Sequence, residues 1–184
     1  MIGILITSHP GHCGVGLDKC MESVAGSGYA AVLGFDDDSF DCDIAIPTGV
    51  RLALTGRAQE DLPHDWKMHQ GENIQIRENV HDLKRWGMKY LLKLCGDMFL
   101  TTTNLWNLPN ILGNKDALVW EDPRGFFGTK AFFAKTESIL NMTKGVEKIN
   151  FLVESNYAKA AKNLGIVYEC KPKYFWRQFV GGRF

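Results

Sequence analysis

The order strand, helix, strand at the start of the chain constrains its fold more than any other feature. Ile2–Thr7 is a short apolar run ended by Ser8-His9-Pro10-Gly11, which reads as a buried strand and then a turn. Leu17, Cys20, Met21 and Val24 recur at helical spacing and predict a helix of about two to three turns, stopped by Gly26 and Gly28. Tyr29–Phe35 is the next strand. A helix between two strands gives a right-handed crossover and a parallel pair.

The alternation continues downstream. Ile44 to Pro47 is a candidate third strand, and Arg51–Gln59 fits either helix or strand. Ile76, Val80, Leu83 and Gly87 mark a helix face that leads directly into a strand at Tyr90–Leu94. Asn104–Leu112 has helical character and Ala131–Ala134 reads as a strand. Ile149, Leu152, Val153, Tyr157, Ala160, Ala161 and Leu164 form a long apolar stripe, closed by Gly165 and a short strand at Ile166–Tyr168. Together these elements predict a single α/β domain with a mostly parallel central sheet flanked by helices. At 184 residues and 45% hydrophobic, the chain can bury a core large enough to fold alone.

Charge and cysteine usage narrow the function. Twenty-one basic residues balance 21 acidic ones without a long basic run, so neither nucleic-acid binding through many phosphate contacts nor a polybasic membrane patch leads. No apolar run approaches the length of a membrane span, and the first residues lack the basic start of a signal peptide. The five cysteines are scattered without a C-x-x-C pair, which argues against a zinc knuckle or a disulfide framework and fits a reducing cytoplasm.

Against this balanced background, AVLGFDDDSFDCD (31–43) crowds five aspartates into eight positions at the end of a strand. It is not an EF-hand loop: counting from Asp36, the sixth residue is Asp41 and the twelfth is Pro47, where glycine and glutamate are needed. In open α/β sheets ligands bind outside the carboxyl ends of strands. Thr7-Ser8 and Asp36-Asp37 both lie at such ends, where carboxylates accept hydrogen bonds from a base N–H or ribose hydroxyls. The loop PGHCGVG lacks the Lys-Ser/Thr of a P-loop and the spacing of a dinucleotide fingerprint, so it reads as a turn.

The succession ILITSHP, LDKCMESV, AVLGFDDDSFD resembles the opening of family 2 glycosyltransferases of the GT-A fold, with Asp36, Asp37, Ser39 and Asp41 on the family's D-D-x-S-x-D pattern. The helix from Asn79 to Gly87 and then KYLLKLCGDMF occupy the place of the family's helix and D-x-D strand. FLVESNYAKAAKNLGIVY resembles its E-D helix. Two positions depart from the pattern: the D-x-D place reads Cys95-Gly96-Asp97, and the E-D place reads Glu154-Ser155.

The resemblance implies a GT-A-like domain whose residues 1–100 hold the nucleotide and whose residues 101–184 face the acceptor. It implies transfer of a sugar from a nucleotide-diphosphate donor to a glycan or other hydroxyl-bearing acceptor, with inversion. Thr7, Ser8, Asp36 and Asp37 would surround base and ribose. Asp97 would hold a divalent cation, Mn²⁺ or Mg²⁺, or bond a donor hydroxyl, and Gly96 would let the backbone approach. Glu154 would be the catalytic base, with Asp122 of VWEDPRG as its rival, and Arg177 in the aromatic tail would meet a phosphate. The alternatives are a non-catalytic nucleotide or sugar binding module that keeps the fold, and a nucleotidyltransferase. The latter would need basic residues in the loop after the first strand, where positions 8–19 offer only Lys19.

Overall fold

The computed structural model describes residues 1–8, 15–36, 45–55, 64–102, 104–121, 126–144, 152–170 and 176–178. The crossover expected at the start is present. Strand β1 (Ile2–Ser8) is buried along its whole length, helix α1 (Val15–Ala25) follows, and β2 (Ala31–Asp36) returns parallel to β1 with Ile4 opposite Ala31. The third strand, β3 (Val50–Thr55), pairs parallel with β2. The helix-or-strand ambiguity at Arg51 thus resolves to strand through Thr55, and residues 45–47 are irregular. Helix α2 (His64–Arg85) crosses the sheet and delivers β4 (Tyr90–Cys95) to the other side of β1.

The second half completes the layer. Strand β5 (Met98–Leu100), helix α3 (Leu108–Leu112), β6 (Ala117–Glu121) and β7 (Phe127–Lys135) come next. Helices α4 (Thr136–Lys144) and α5 (Val153–Leu164) then precede β8 (Tyr168–Cys170) and β9 (Trp176–Gln178). The main sheet has the order β3-β2-β1-β4-β7-β6-β8, and β7 is antiparallel to both of its neighbours while the other four pairings are parallel. Strands β5 and β9 form a separate two-stranded ladder.

Each face of the main sheet carries its own core. Ile4, Ile6, Leu33, Phe35, Leu92, Leu94 and Phe133 pack against Leu17, Cys20, Met21 and Val24 of α1 and Leu108 and Leu112 of α3. On the other face Leu5, Val32, Leu91, Val119, Phe132 and Ala134 meet Ile76, Val80 and Leu83 of α2, Ile139 and Leu140 of α4, and Val153, Tyr157 and Ala161 of α5. Alternate residues of the central strands feed opposite cores, as expected for a sheet covered on both sides.

Two expected boundaries shift for identifiable reasons. The helix expected over Asn104–Leu112 is confined to Leu108–Leu112, because Pro109 belongs to a first turn and cannot supply an interior helical N–H. The last strand of the main sheet begins at Tyr168, not Ile166. Gly165 closes α5 in the left-handed conformation (φ 65°), and the Ile166 N–H donates to the Ala161 carbonyl at 2.9 Å. The Val167 N–H in turn donates to the Asp116 carboxylate at 3.0 Å. No helix among the described residues is long and apolar enough to cross a membrane.

Candidate functional site

The chain leaves β1 for β2 and β3 on one side and comes back through α2 to β4 on the other. The strand order therefore reverses between β1 and β4, and the crevice beyond their carboxyl ends is where open α/β sheets bind ligands. The residues at those ends are Thr7-Ser8 and Cys95-Gly96-Asp97. They are neighbours: Thr7 lies opposite Cys95 in the parallel register, and the Gly96 N–H donates to the Thr7 carbonyl at 2.9 Å.

Gln75 of α2 fixes the end of β1. Its Oε1 accepts from the Ser8 N–H at 3.0 Å and its Nε2 donates to the Ser8 carbonyl at 2.9 Å, so both polar groups of that residue are satisfied by one side chain. Beneath it, Gly34 of β2 leaves room for α2. A Cβ there would lie 2.9 Å from Asn79 Nδ2 and 3.4 Å from Gln75 Cβ. The Ser8 hydroxyl is buried and makes no hydrogen bond to a described residue. A buried hydroxyl in that state is disfavoured unless something else bonds it.

A charged cluster lies under the β4 end. Lys93, fully buried in β4, pairs through its Nζ with Glu72 of α2, donates to the Thr129 carbonyl of β7, and reaches Cys95 Sγ at 3.0 Å. Cys95 contacts Glu72 Oε1 at 3.6 Å and Thr7 Oγ1 at 3.8 Å. Burial pushes the Cys95 thiol up to about 12 in spite of the adjacent ammonium, so it is protonated at neutral pH. Burial opposes the Lys93 charge, but the Glu72 carboxylate, joined by the Cys95 sulfur once that thiol ionises, outweighs it and holds the amine above the ordinary lysine value. The cluster is thus an ammonium–carboxylate pair with a neutral thiol beside it.

Because β7 runs against β4, its beginning lies at the end of β4. Two consecutive β7 residues use this position. The Thr129 hydroxyl faces Glu72 Oε2 at 3.3 Å and Glu154 Oε1 at 3.4 Å. Lys130 Nζ lies 3.9 Å from Asp97 Oδ2. Glu154 stands in the first turn of α5 and its other oxygen, Oε2, is buried without a hydrogen-bond partner among the described residues. Thr7 and Glu154 are therefore linked through the side chains of Cys95, Glu72 and Thr129, whereas Gly96 is tied to Thr7 by its backbone N–H and Asp97 contacts Lys130.

The remaining expected site residues are placed less completely. Asp36 ends β2, and its backbone lies opposite Thr55 of β3. Arg177 lies in β9, where its backbone is opposite Phe99, two residues past Asp97. The side chains of Asp36 and Arg177, and all of Asp37 and Asp122, lie outside the described residues. Reading the sequence missed Lys93, Glu72, Gln75, Thr129 and Lys130. Lys93 left a visible signal, a lysine inside the apolar run YLLKLC, where a buried charge requires a partner.

Among the described residues the groups around Asp97 are a single carboxylate, a thiol and an ammonium, a set unlike the oxygen ligands that Mg²⁺ takes. At the D-x-D place the first carboxylate is replaced by the Cys95 thiol, and the second has an ammonium beside it. Among the described residues no group of three His, Cys, Asp or Glu side chains is placed to hold a metal.

No family model and no curated protein sequence matches the chain. Solved structures do. A cytidylyltransferase from Leptospira borgpetersenii serovar Hardjo-bovis superposes with a TM-score of 0.61 at 16% identity, over 95% of this chain and 76% of that one. HddC from Yersinia pseudotuberculosis gives 0.59 at 9% identity, over 97% and 93%. A putative nucleotide-diphospho-sugar transferase from Desulfovibrio desulfuricans gives 0.55 at 10% identity, over 93% and 79%. The chain has a nucleotide-diphospho-sugar transferase-like fold.

Proposed function

We propose that the protein is a glycosyltransferase that moves a sugar from a nucleotide-diphosphate donor to an acceptor hydroxyl with inversion. The observation that carries this reading is the juxtaposition of Thr7-Ser8 with Gly96-Asp97 at the switch point of the sheet, with Glu154 joined to Thr7 through Thr129, Glu72 and Cys95. Residues 1–100 hold the donor: Thr7, Ser8, Asp36 and Asp37 take the base and ribose and Gly96 admits the phosphates, which Arg177 from the second half also meets. Residues 101–184 face a glycan or other hydroxyl-bearing acceptor.

In the reaction the acceptor oxygen forms a bond to the anomeric carbon while the bond from that carbon to the donor phosphate breaks. The nucleoside diphosphate leaves with the bonding electrons. The acceptor proton passes to Glu154, whose unpartnered Oε2 is the available acceptor. Asp122 is the alternative base. Asp97 holds a donor hydroxyl.

The test is a thermal-shift panel of nucleoside diphosphates and nucleotide sugars. A ligand at 100 times its dissociation constant stabilises by about 2.7 kcal/mol. One nucleotide shifting the wild type but not Asp36→Ala supports the reading and names the donor class; no shift with any nucleotide rejects it.

Nucleotidyl transfer is the second reading, favoured by the similarity to a cytidylyltransferase. Pyrophosphate release from a nucleoside triphosphate and a sugar phosphate would select it. Release of nucleoside diphosphate from a nucleotide sugar selects glycosyl transfer.

A further inference from the structure

A departing nucleoside diphosphate carries concentrated negative charge, and the protein must place positive charge against it. In the crevice between β1 and β4 the residues at the D-x-D place cannot recruit that charge as an ion. Cys95 presents a thiol where an oxygen ligand is needed; Mg²⁺ takes oxygen, and thiol sulfur suits softer metals. Its sulfur already lies against Lys93, Glu72 and Thr7.

Positive charge is nevertheless present at that place. Ala131 of β7 pairs with Leu94 of β4, so Lys130 stands one step further out, beside Cys95 and the turn to Asp97. It is the exposed residue of a stretch whose other members, from Phe127 to Ala134, are buried. The 3.9 Å separation from Asp97 is a loose ion pair, and the Lys130 side chain keeps 47% of its surface open to solvent. Lys93, by contrast, is sealed in the cluster below and cannot reach a ligand. Directly beyond Asp97, the β5–β9 ladder brings the backbone of Arg177 opposite Phe99, so a second basic residue is placed by register at the same end of β4.

Resting on the donor-site reading above, we infer that Lys130 binds the diphosphate of the donor in place of a divalent cation, with Asp97 orienting its ammonium. The transfer is then independent of metal, and the lysine both holds the donor and stabilises the leaving diphosphate. Lysine acts on phosphate as a point charge with rotatable donors, so the site tolerates a loose geometry that a bound cation would not.

The experiment measures binding by titration calorimetry of UDP, GDP, CDP, ADP and TDP, and of the matching nucleosides. Each is titrated in EDTA and in Mn²⁺, into the wild type, Lys130→Ala and Lys130→Arg. A parallel Mn²⁺ titration without nucleotide follows the free-ion electron paramagnetic resonance signal. Because Lys130 is half exposed, both variants fold, which their melting temperatures verify.

The expected result is one nucleoside diphosphate bound equally well in EDTA and in Mn²⁺. Lys130→Ala weakens it by about tenfold or more, leaves the nucleoside unaffected, and is largely rescued by Lys130→Arg. The Mn²⁺ signal is expected to stay that of the free ion. Nucleoside binding that is intact while the diphosphate requires Mn²⁺ overturns the lysine assignment alone. Metal-free diphosphate binding that Lys130→Ala leaves unchanged also overturns it. Absence of both nucleoside and diphosphate binding overturns the donor site itself, and this inference with it.

Discussion

Lys93 Nζ and Cys95 Sγ lie 3.0 Å apart inside the sheet, and the same ammonium is paired with Glu72 of α2 and bonded to the Thr129 carbonyl of β7. One amine thus ties together three elements that meet beneath the candidate site. The two ends of the ion pair differ in exposure: the lysine side chain is 0% exposed and the glutamate 17%.

That asymmetry predicts unequal costs. Glu72→Gln leaves an ammonium buried without its counter-charge and should destabilise by about 3–5 kcal/mol. Lys93→Met removes the charge from the dry side and leaves a carboxylate that can hydrate, so its cost should be clearly smaller. The double variant Lys93→Met/Glu72→Gln should recover part of the loss. Urea unfolding of the three variants checks this; equal, small losses would show that the pair does not hold the layers together.

Among the described cysteines, reactivity should follow burial. Burial raises Cys20 well above the ordinary thiol range and Cys95 to about 12, whereas Cys170 is exposed at the end of β8. Native alkylation at pH 8 should modify Cys170 and spare Cys20 and Cys95, which should react only in denaturant. Peptide mapping by mass spectrometry distinguishes them. Rapid native labelling of Cys95 would mean that the cluster opens readily.

Asp116 connects the start of β6 to the chain before β8. Burial alone would raise its pKa, but the Val167 N–H, the Lys135 ammonium and the Ser138 hydroxyl lower it below the ordinary aspartate value of 3.8. A carboxylate depressed in the folded state contributes stability that is fully present above its unfolded pKa and is lost as pH falls through the folded one. Asp116→Asn should therefore cost about 1 kcal/mol at neutral pH. The gap to the wild type should close as the pH falls below 3.8. Denaturant midpoints across that window measure it; a gap independent of pH would assign the effect to packing.

The first half of this fold is more legible in sequence than the second, for a physical reason. Strands β1, β2 and β4 are short apolar runs closed by turn residues, and each follows or precedes a helix with a clear apolar face, so element type and parallel direction follow locally. Strand β7 runs backwards in the sheet, and direction is set by its pairing with β4 and β6, which no local pattern carries. Helix α4 passed unread because it starts at Thr136, the residue after β7 ends, with no turn between them. Of the candidate site, Thr7 and Ser8 were visible from their position at the end of an apolar run, and Gly96 and Asp97 from the resemblance to a D-x-D strand. Thr129, Lys130, Glu72 and Gln75 were not, since their roles come from long-range contacts, such as Gln75 with Ser8 across 67 residues.

Gln75 carries the most exposed consequence of those contacts. Gln75→Leu removes both partners of the Ser8 peptide, which is buried, and leaves a donor and an acceptor to be satisfied elsewhere. The loss should be about 2 kcal/mol or more. Because Ser8 also belongs to the proposed donor site, nucleotide affinity should fall together with stability. A variant that loses stability but binds nucleotide as the wild type would separate the β1 end from the ligand.

Glu154 makes the sharpest catalytic prediction. Its Oε1 is held by the Thr129 hydroxyl while Oε2 is buried and unpartnered among the described residues. Glu154→Gln keeps the shape and an acceptor for Thr129 but cannot take a proton. Turnover of a nucleotide sugar should fall by about 10² to 10⁴, with donor affinity and melting temperature unchanged. Thr129→Val removes only the hydroxyl that orients the carboxylate, so turnover should fall by less, again without loss of donor binding. Reaction rates with a saturating acceptor, set beside donor titrations, separate these effects. If Glu154→Gln turns over at the wild-type rate, Glu154 is not the base, and Asp122→Asn becomes the variant to measure.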